Sequence, residues 1–146
     1  MAKIGMAGLL LAGSAVALTG GPAQAAAGQC AGSRIEHLAV KSHSGTVKGY
    51  LNIYYDARTG YNCARLDSAG AYWGKRKTMA VTLHTCKNKT PDYFACKPIE
   101  VVKDEGRYAK YAGPVKLYGR NRCISASAVI EPGNDEAVRV TPSFHC

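Results

Sequence analysis

The sequence predicts an all-β fold, a small disulfide-stapled antiparallel sandwich or barrel built from hairpins. Three observations carry that expectation. Apolar and polar residues alternate with period two in several short runs, turn chemistry recurs roughly every 8–12 residues, and six cysteines follow an export-type leader. The clearest run is Val47 to Leu66. Val47, Leu51, Ile53 and Tyr55 fall on one side of the alternation, and Lys48, Tyr50, Asn52 and Tyr54 on the other. Asp56-Ala57-Arg58-Thr59-Gly60 supplies a turn in which Gly60 is free to take a positive φ, and Tyr61 to Leu66 runs back with Cys63 in the second arm.

The remaining elements follow in order. Arg34 to Val40 reads as a first, less regular strand, and Lys41 to Thr46 as a polar turn. Ser68 to Lys77 is a long connection holding the only tryptophan and the densest basic run, Lys75-Arg76-Lys77. Met79 to Cys86 alternates again, with Met79, Val81 and Leu83 facing away from Thr82 and His84. Lys87 to Tyr93 has turn composition, and Phe94 to Lys103 returns as a strand in which Pro98 marks an edge or a bulge. Asp104-Glu105-Gly106 reads as a further turn. Arg107 to Tyr118 is the next strand, bent at Gly113-Pro114. Gly119 to Arg122 turns into Cys123 to Glu131, Pro132 to Asp135 turns into Glu136 to Thr141, and Pro142 to Cys146 is the tail. No helical period, heptad or interdomain linker follows the leader.

That leader is residues 1–25. Lys3 is its charged start, Leu9, Leu10, Leu11, Val16 and Leu18 its apolar run, and Ala23-Gln24-Ala25 a small-x-small cut site, with a cut after Ala27 as the alternative. Gly13, Gly20, Gly21 and Pro22 interrupt the run before the roughly 20 apolar residues that span a bilayer. Residues 26–146 then form a single secreted β domain. The leader holds one cation, so its removal lowers the net charge from +9 to +8.

Cys30, Cys63, Cys86, Cys96, Cys123 and Cys146 all lie in the mature part, an even count that reads as three disulfides in an exported chain. Cys86 and Cys96 flank one tight loop and can meet across its neck. Pairing Glu131 with Glu136 in the last hairpin sets Cys123 opposite the tail near Phe144, within reach of Cys146. The first choice is therefore 30–63, 86–96 and 123–146; the runner-up keeps 86–96 and joins 63–123 and 30–146. Zinc is the rival use of these residues, since His84 and His145 lie close to cysteines, but no Cys-x2-Cys pair occurs and no metal or cofactor is expected.

Tyr50-Leu51-Asn52-Ile53-Tyr54-Tyr55, Gly60-Tyr61-Asn62-Cys63, Tyr108-Ala109-Lys110-Tyr111-Ala112-Gly113-Pro114-Val115, Cys123 and the terminal Phe144-His145-Cys146 resemble the spore-associated protein A family, small exported proteins of filamentous spore-forming bacteria. The likeness is spread over most of the mature chain. It implies an exported fold with four cysteines at the positions of Cys30, Cys63, Cys123 and Cys146; Cys86 and Cys96 depart from that pattern and pair most simply with each other. It supplies no catalytic residues. Lys75-Arg76-Lys77, Lys87 and Lys89 make this chain unusually basic beside that pattern.

Catalytic chemistry finds little footing. No Gly-x-Ser-x-Gly elbow occurs, and Gly119-Arg120-Asn121-Arg122 lacks the lysine and helix of a phosphate loop. A secreted nuclease could draw on His37, His84, Glu100 and Arg107 as base, acid and phosphate clamp. Tyr72, Trp73, Lys75, Arg76 and Lys77 form the better candidate, a binding surface in which aromatics stack on bases or sugars while cations meet anionic groups. Its bland counterpart is a solvated loop whose Trp73 plugs the core rim. Tyr50 and Tyr54 add a second aromatic face, although tyrosine also suits any half-buried sheet. The expectation is a secreted, non-enzymatic surface- or spore-associated binding protein whose partner is an anionic cell-surface polymer or an acidic protein. The alternatives are an adaptor subunit of a larger secreted assembly, a small basic hydrolase or nuclease, and an inhibitor presenting Lys87 to Tyr93.

Overall fold

The computed structural model of the chain describes residues 28–93 and 96–146. The predicted leader, with its cut after Ala25 or Ala27, lies outside the described residues, as does Phe94. The order is β1 (Ser33–Ser42), β2 (Val47–Asp56), β3 (Tyr61–Ser68), a single 3-10 turn (Gly70–Tyr72), β4 (Lys77–Cys86), β5 (Pro98–Tyr108), β6 (Tyr111–Tyr118), β7 (Ile124–Glu131) and β8 (Ala137–Val140). The fold is all-β, with no α-helix among the described residues. Of the two architectures expected, the chain adopts the barrel. One eight-stranded antiparallel sheet runs β5-β4-β7-β8-β1-β2-β3-β6 and curls until its two edges meet.

The central hairpin is built as its alternation requires. Leu51, Ile53, Ala64 and Leu66 point inward and are fully buried, joined by Val40, Met79, Val81, Leu83, Leu117 and Ile130. Asp56 pairs with Tyr61 across the turn, and Gly60 closes it at φ 77. The Asp56 carboxylate accepts the Arg58 amide at 3.0 Å. Burial pushes its pKa up, but that bond, the Thr59 hydroxyl and the Arg58 charge outweigh burial and hold it below the ordinary value. Asn62 is buried inside the barrel, and neither end of its amide has a partner among the described residues.

The last hairpin pairs Ile130 with Ala137 and Val129 with Val138, the register expected from the Glu131–Glu136 turn. An isolated bridge between Ile124 and Phe144 carries the tail back along β7.

Two linked sequence expectations are corrected, the turn at Asp104-Glu105-Gly106 and the single strand from Arg107 to Tyr118. Asp104-Glu105-Gly106 is not a turn: β5 runs straight through it to Tyr108, and the chain reverses at Ala109 and Lys110. The polar residues are there because β5 is an edge. Asp104 reaches across the seam to β6, its Oδ2 accepting the Gly113 amide at 2.6 Å, while its Oδ1 accepts the Tyr108 hydroxyl of its own strand at 2.6 Å. That bond to Asp104, with burial and the carboxylate's charge behind it, raises the Tyr108 phenol above its usual pKa. Pro98 begins β5 beside a register shift at Thr85/Cys86, and Gly113-Pro114 sits opposite a shift between Ala64 and Leu66, so both prolines occupy edge strands at bulges.

Antiparallel pairing sorts the connections into two poles. At one lie the turns 43–46, 69–76, 109–110 and 132–136. At the other lie the turns 57–60 and 119–123, the segment after Cys86 and the tail. The bridges join Cys30 to Cys63, Cys86 to Cys96 and Cys123 to Cys146, all toward this second pole, and leave no free cysteine. Closing loops of 33 and 23 residues contributes about 3–4 kcal/mol each, and the loop of 10 residues about 2–3 kcal/mol, on the chain-entropy model.

Candidate functional site

The pole without disulfides is held by two buried lysines. Lys77 opens β4 at 3 % exposure, and its ammonium donates to the carbonyls of Tyr72 at 2.9 Å, Lys75 at 2.7 Å and Ala109 at 3.0 Å. Three N–H donors meet three acceptors, so the group is fully satisfied without water. Burial pulls its pKa below the lysine norm, and the three carbonyls favour the charged form. Lys48, fully buried at the start of β2, pairs with the Asp135 carboxylate at 2.5 Å, donates to the Asp135 carbonyl, and lies 5.2 Å from the centre of the Tyr72 ring. Lys48 thus joins the 3-10 turn to the β7–β8 turn.

These anchors correct the expected surface. Lys77, expected on the binding face, is instead the buried peg that shapes the loop. Lys48 and Asn52, expected to face water beside Tyr50 and Tyr54, do project from the outer wall. Even so, Tyr72 and Asp135 lie against Lys48, and His37 and Asp67 bond to Asn52. A long or amide side chain on a strongly curved wall is covered by its neighbours wherever a partner for its polar end stands close.

What remains exposed on the 69–77 loop is Trp73, Lys75 and Arg76. Trp73 is 48 % exposed and lies outside the core, so it plugs nothing. The Lys110 ammonium stands 5.8 Å from its ring centre. Backbone bonds from Gly74 to Ala109, Trp73 to Gly70 and Ala69 to Lys48 fix the loop's path, and the Arg76 guanidinium donates to the Arg107 carbonyl at 3.0 Å. Between this loop and the β7–β8 turn lies a cleft of about 460 Å³, walled by Tyr72, Lys75, Arg76 and Pro132. It continues past Arg76 and Pro132 into a polar depression of about 320 Å³ that adds Arg107 and Glu131. Thr78 brings these last two together, because it pairs with Arg107 on one side and Glu131 on the other.

Tyr50 and Tyr54 lie elsewhere, along the β2 wall. The Tyr50 ring stacks on His37 at 4.4 Å, and Tyr54 borders a shallow pocket with Arg65 and Asp67. A hydrogen-bonded chain crosses this wall. His37 Nδ1 lies 2.7 Å from Asn52 Oδ1, Asn52 Nδ2 donates to Asp67 at 2.8 Å, and Arg65 donates twice to Asp67 while resting 4.4 Å from the Tyr111 ring centre. Its polar atoms are spent on one another, which suits stitching β1, β2, β3 and β6 together.

The nuclease quartet does not assemble into one site. His37 is on β1; His84 pairs with Val101, Glu100 with Thr85, and Arg107 lies at the far end of β5. Arg107 joins the basic cleft instead. Arg107 and Glu131 were not legible as companions of Lys75 and Arg76 in the sequence, because only the β5–β4–β7 register makes them neighbours, and Lys110 arrives through the bond from Gly74 to the β5–β6 turn.

The cleft offers permanent cations, one aromatic face and a prefixed backbone. That combination suits holding a chain of anionic groups. Comparison with protein-family models, with curated proteins and with solved structures found no match to this chain.

Proposed function

We propose that this is an exported, non-enzymatic binding protein that holds a phosphate-bearing anionic polymer of the cell or spore surface in the cleft between the 69–77 loop and the β7–β8 turn. One observation carries the reading: two buried lysines fix a loop whose exposed side chains are Trp73, Lys75 and Arg76, with Arg107 and Lys110 beside them. Prefixing the loop lowers the ordering cost of binding, so the exposed cations act at little entropic expense. The net charge of +8 without the leader supports attraction to polyanions. Three disulfides suit an oxidising compartment, and among the described residues no helix is long and apolar enough to cross a membrane. The resemblance to spore-associated protein A supports a surface location.

The test is titration with inorganic polyphosphate across a salt series. Removing a cation that neutralises a phosphate flattens the salt dependence of the binding constant, because fewer counterions are released on binding. Lys75→Ala/Arg76→Ala/Arg107→Ala is expected to weaken binding roughly tenfold or more at low salt and to reduce that slope, with the melting temperature unchanged. Equal affinity and slope in the triple variant overturns the reading, as does capture of acidic proteins without any binding of polyphosphate.

A further inference from the structure

We propose that the disulfide pole carries a second surface for the same class of polymer, so that one molecule bridges two anionic chains. This rests on the reading of the cleft above.

The second surface is built from β3, β6 and two turns. Tyr61 pairs with Tyr118, and Cys63 with Lys116. Tyr61 and Tyr118 are 47 % and 50 % exposed and meet edge to face at 5.7 Å, an aromatic pair that the core does not use. Beside Tyr61 lies a pocket of about 260 Å³, bounded by Thr59 and Lys116 and lined by Cys63 of the Cys30–Cys63 bridge. Arg58, Arg120 and Arg122 stand on the adjoining turns, all exposed. Arg120 is fixed there by donating to the carbonyls of Ala57 at 2.9 Å and Arg58 at 3.1 Å, which ties the 57–60 and 119–123 turns together. Asp56, the carboxylate lining the pocket, is occupied by its own turn through the Arg58 amide and a 3.5 Å approach of the Arg58 guanidinium. Four exposed cations therefore stand on the strand and turns that carry an exposed aromatic pair, the same pairing of chemistries found at the cleft.

The two surfaces are separate sites. β3 crosses the barrel wall in eight residues, which at about 3.3 Å per residue places the poles up to roughly 25 Å apart. That exceeds the screening length of about 10 Å at 0.1 M salt, so neither surface lends its field to the other. Two rigid sites facing opposite ways favour a link between chains over a tighter grip on one.

A sandwich assay tests this. Polyphosphate is immobilised on beads, the mature protein is added and washed, and fluorescent polyphosphate is offered in solution. The wild-type protein is expected to capture the second chain. Arg58→Gln/Lys116→Gln/Arg122→Gln, which leaves the Arg120 turn bonds intact, is expected to bind the beads within a few-fold of wild type yet to lose capture at least tenfold. The cleft variant Lys75→Ala/Arg76→Ala/Arg107→Ala is expected to bind the beads roughly tenfold more weakly, through the other pole alone, and to lose capture as well. A disulfide-pole variant that captures like wild type, as it would if bridging arose from protein dimers, overturns the second surface and leaves the cleft reading standing. A cleft variant that binds and captures like wild type overturns the cleft reading itself. Circular dichroism on each variant, matching wild type, confines every loss to binding.

Discussion

Lys77 belongs to a basic triplet, Lys75-Arg76-Lys77, yet only its two neighbours meet solvent. β4 begins at Lys77, so the strand's alternation turns its side chain away from them and under the loop. Replacing it by methionine keeps much of the volume but strands the carbonyls of Tyr72, Lys75 and Ala109. Lys77→Met is therefore expected to lose about 3 kcal/mol in urea unfolding, whereas Lys75→Ala stays within about 0.5 kcal/mol. Equal stability of the two variants would contradict the buried-peg role. The histidines make a second residue-scale prediction. Burial holds His84 and His145 below the ordinary histidine value of 6.5. The unfolded chain then takes up protons first as pH falls through 6.5, so stability present at neutral pH is lost on the acid side. Denaturant midpoints are expected to drop between pH 7 and 5, and to drop less in His84→Gln/His145→Gln; a steeper drop in the double variant would reverse the sign.

At the scale of elements, turn composition and period two placed six of the eight strands close to their observed bounds, because a barrel wall with one face in the core imposes the alternation on nearly every strand; β6, expected to start at Arg107, starts at Tyr111 because β5 runs on to Tyr108. β5 escaped. Its middle reads Lys103-Asp104-Glu105-Gly106-Arg107, which is turn chemistry on composition alone. On an edge strand the same residues are charged outward positions, plus one carboxylate that closes the seam to β6. Nothing in the local pattern separates the two cases; only the position of β5 in the sheet does. The cleft was half legible for the same reason. The aromatic-basic run from Tyr72 to Arg76 is continuous in sequence, while Arg107 and Glu131 arrive through strand register and Lys110 through the bond from Gly74 to the β5–β6 turn. The Cys86–Cys96 bridge closes a loop of only 10 residues at the barrel's end. Cys86→Ser/Cys96→Ser is expected to keep the fold, seen as an unchanged circular dichroism spectrum, and to lower stability by about 2–3 kcal/mol in urea. A collapse of the spectrum would mean that this bridge holds more than its own loop.

For the whole molecule, the two poles are stabilised by different means, and the difference bears on function. Covalent bridges and paired turns fasten the disulfide pole. The other is held by Lys48 and Lys77, whose bonds to backbone and carboxylate fix the loop without covalent closure. Both arrangements leave cations and aromatic rings on prefixed turns, at opposite ends of a small rigid barrel. On the proposed reading, recognition falls to the turns, and the strand walls keep a structural task, the His37–Asn52–Asp67–Arg65 chain among them. Backbone-amide NMR of the isotope-labelled mature protein, titrated with inorganic polyphosphate, tests this division most directly. Shift changes are expected to concentrate at Tyr72 to Arg76, Arg107 and Lys110, with a second group at Arg58 and Lys116 to Arg122. Changes confined to the β2 wall around Tyr50 and Tyr54, or none below saturating polymer, would contradict it.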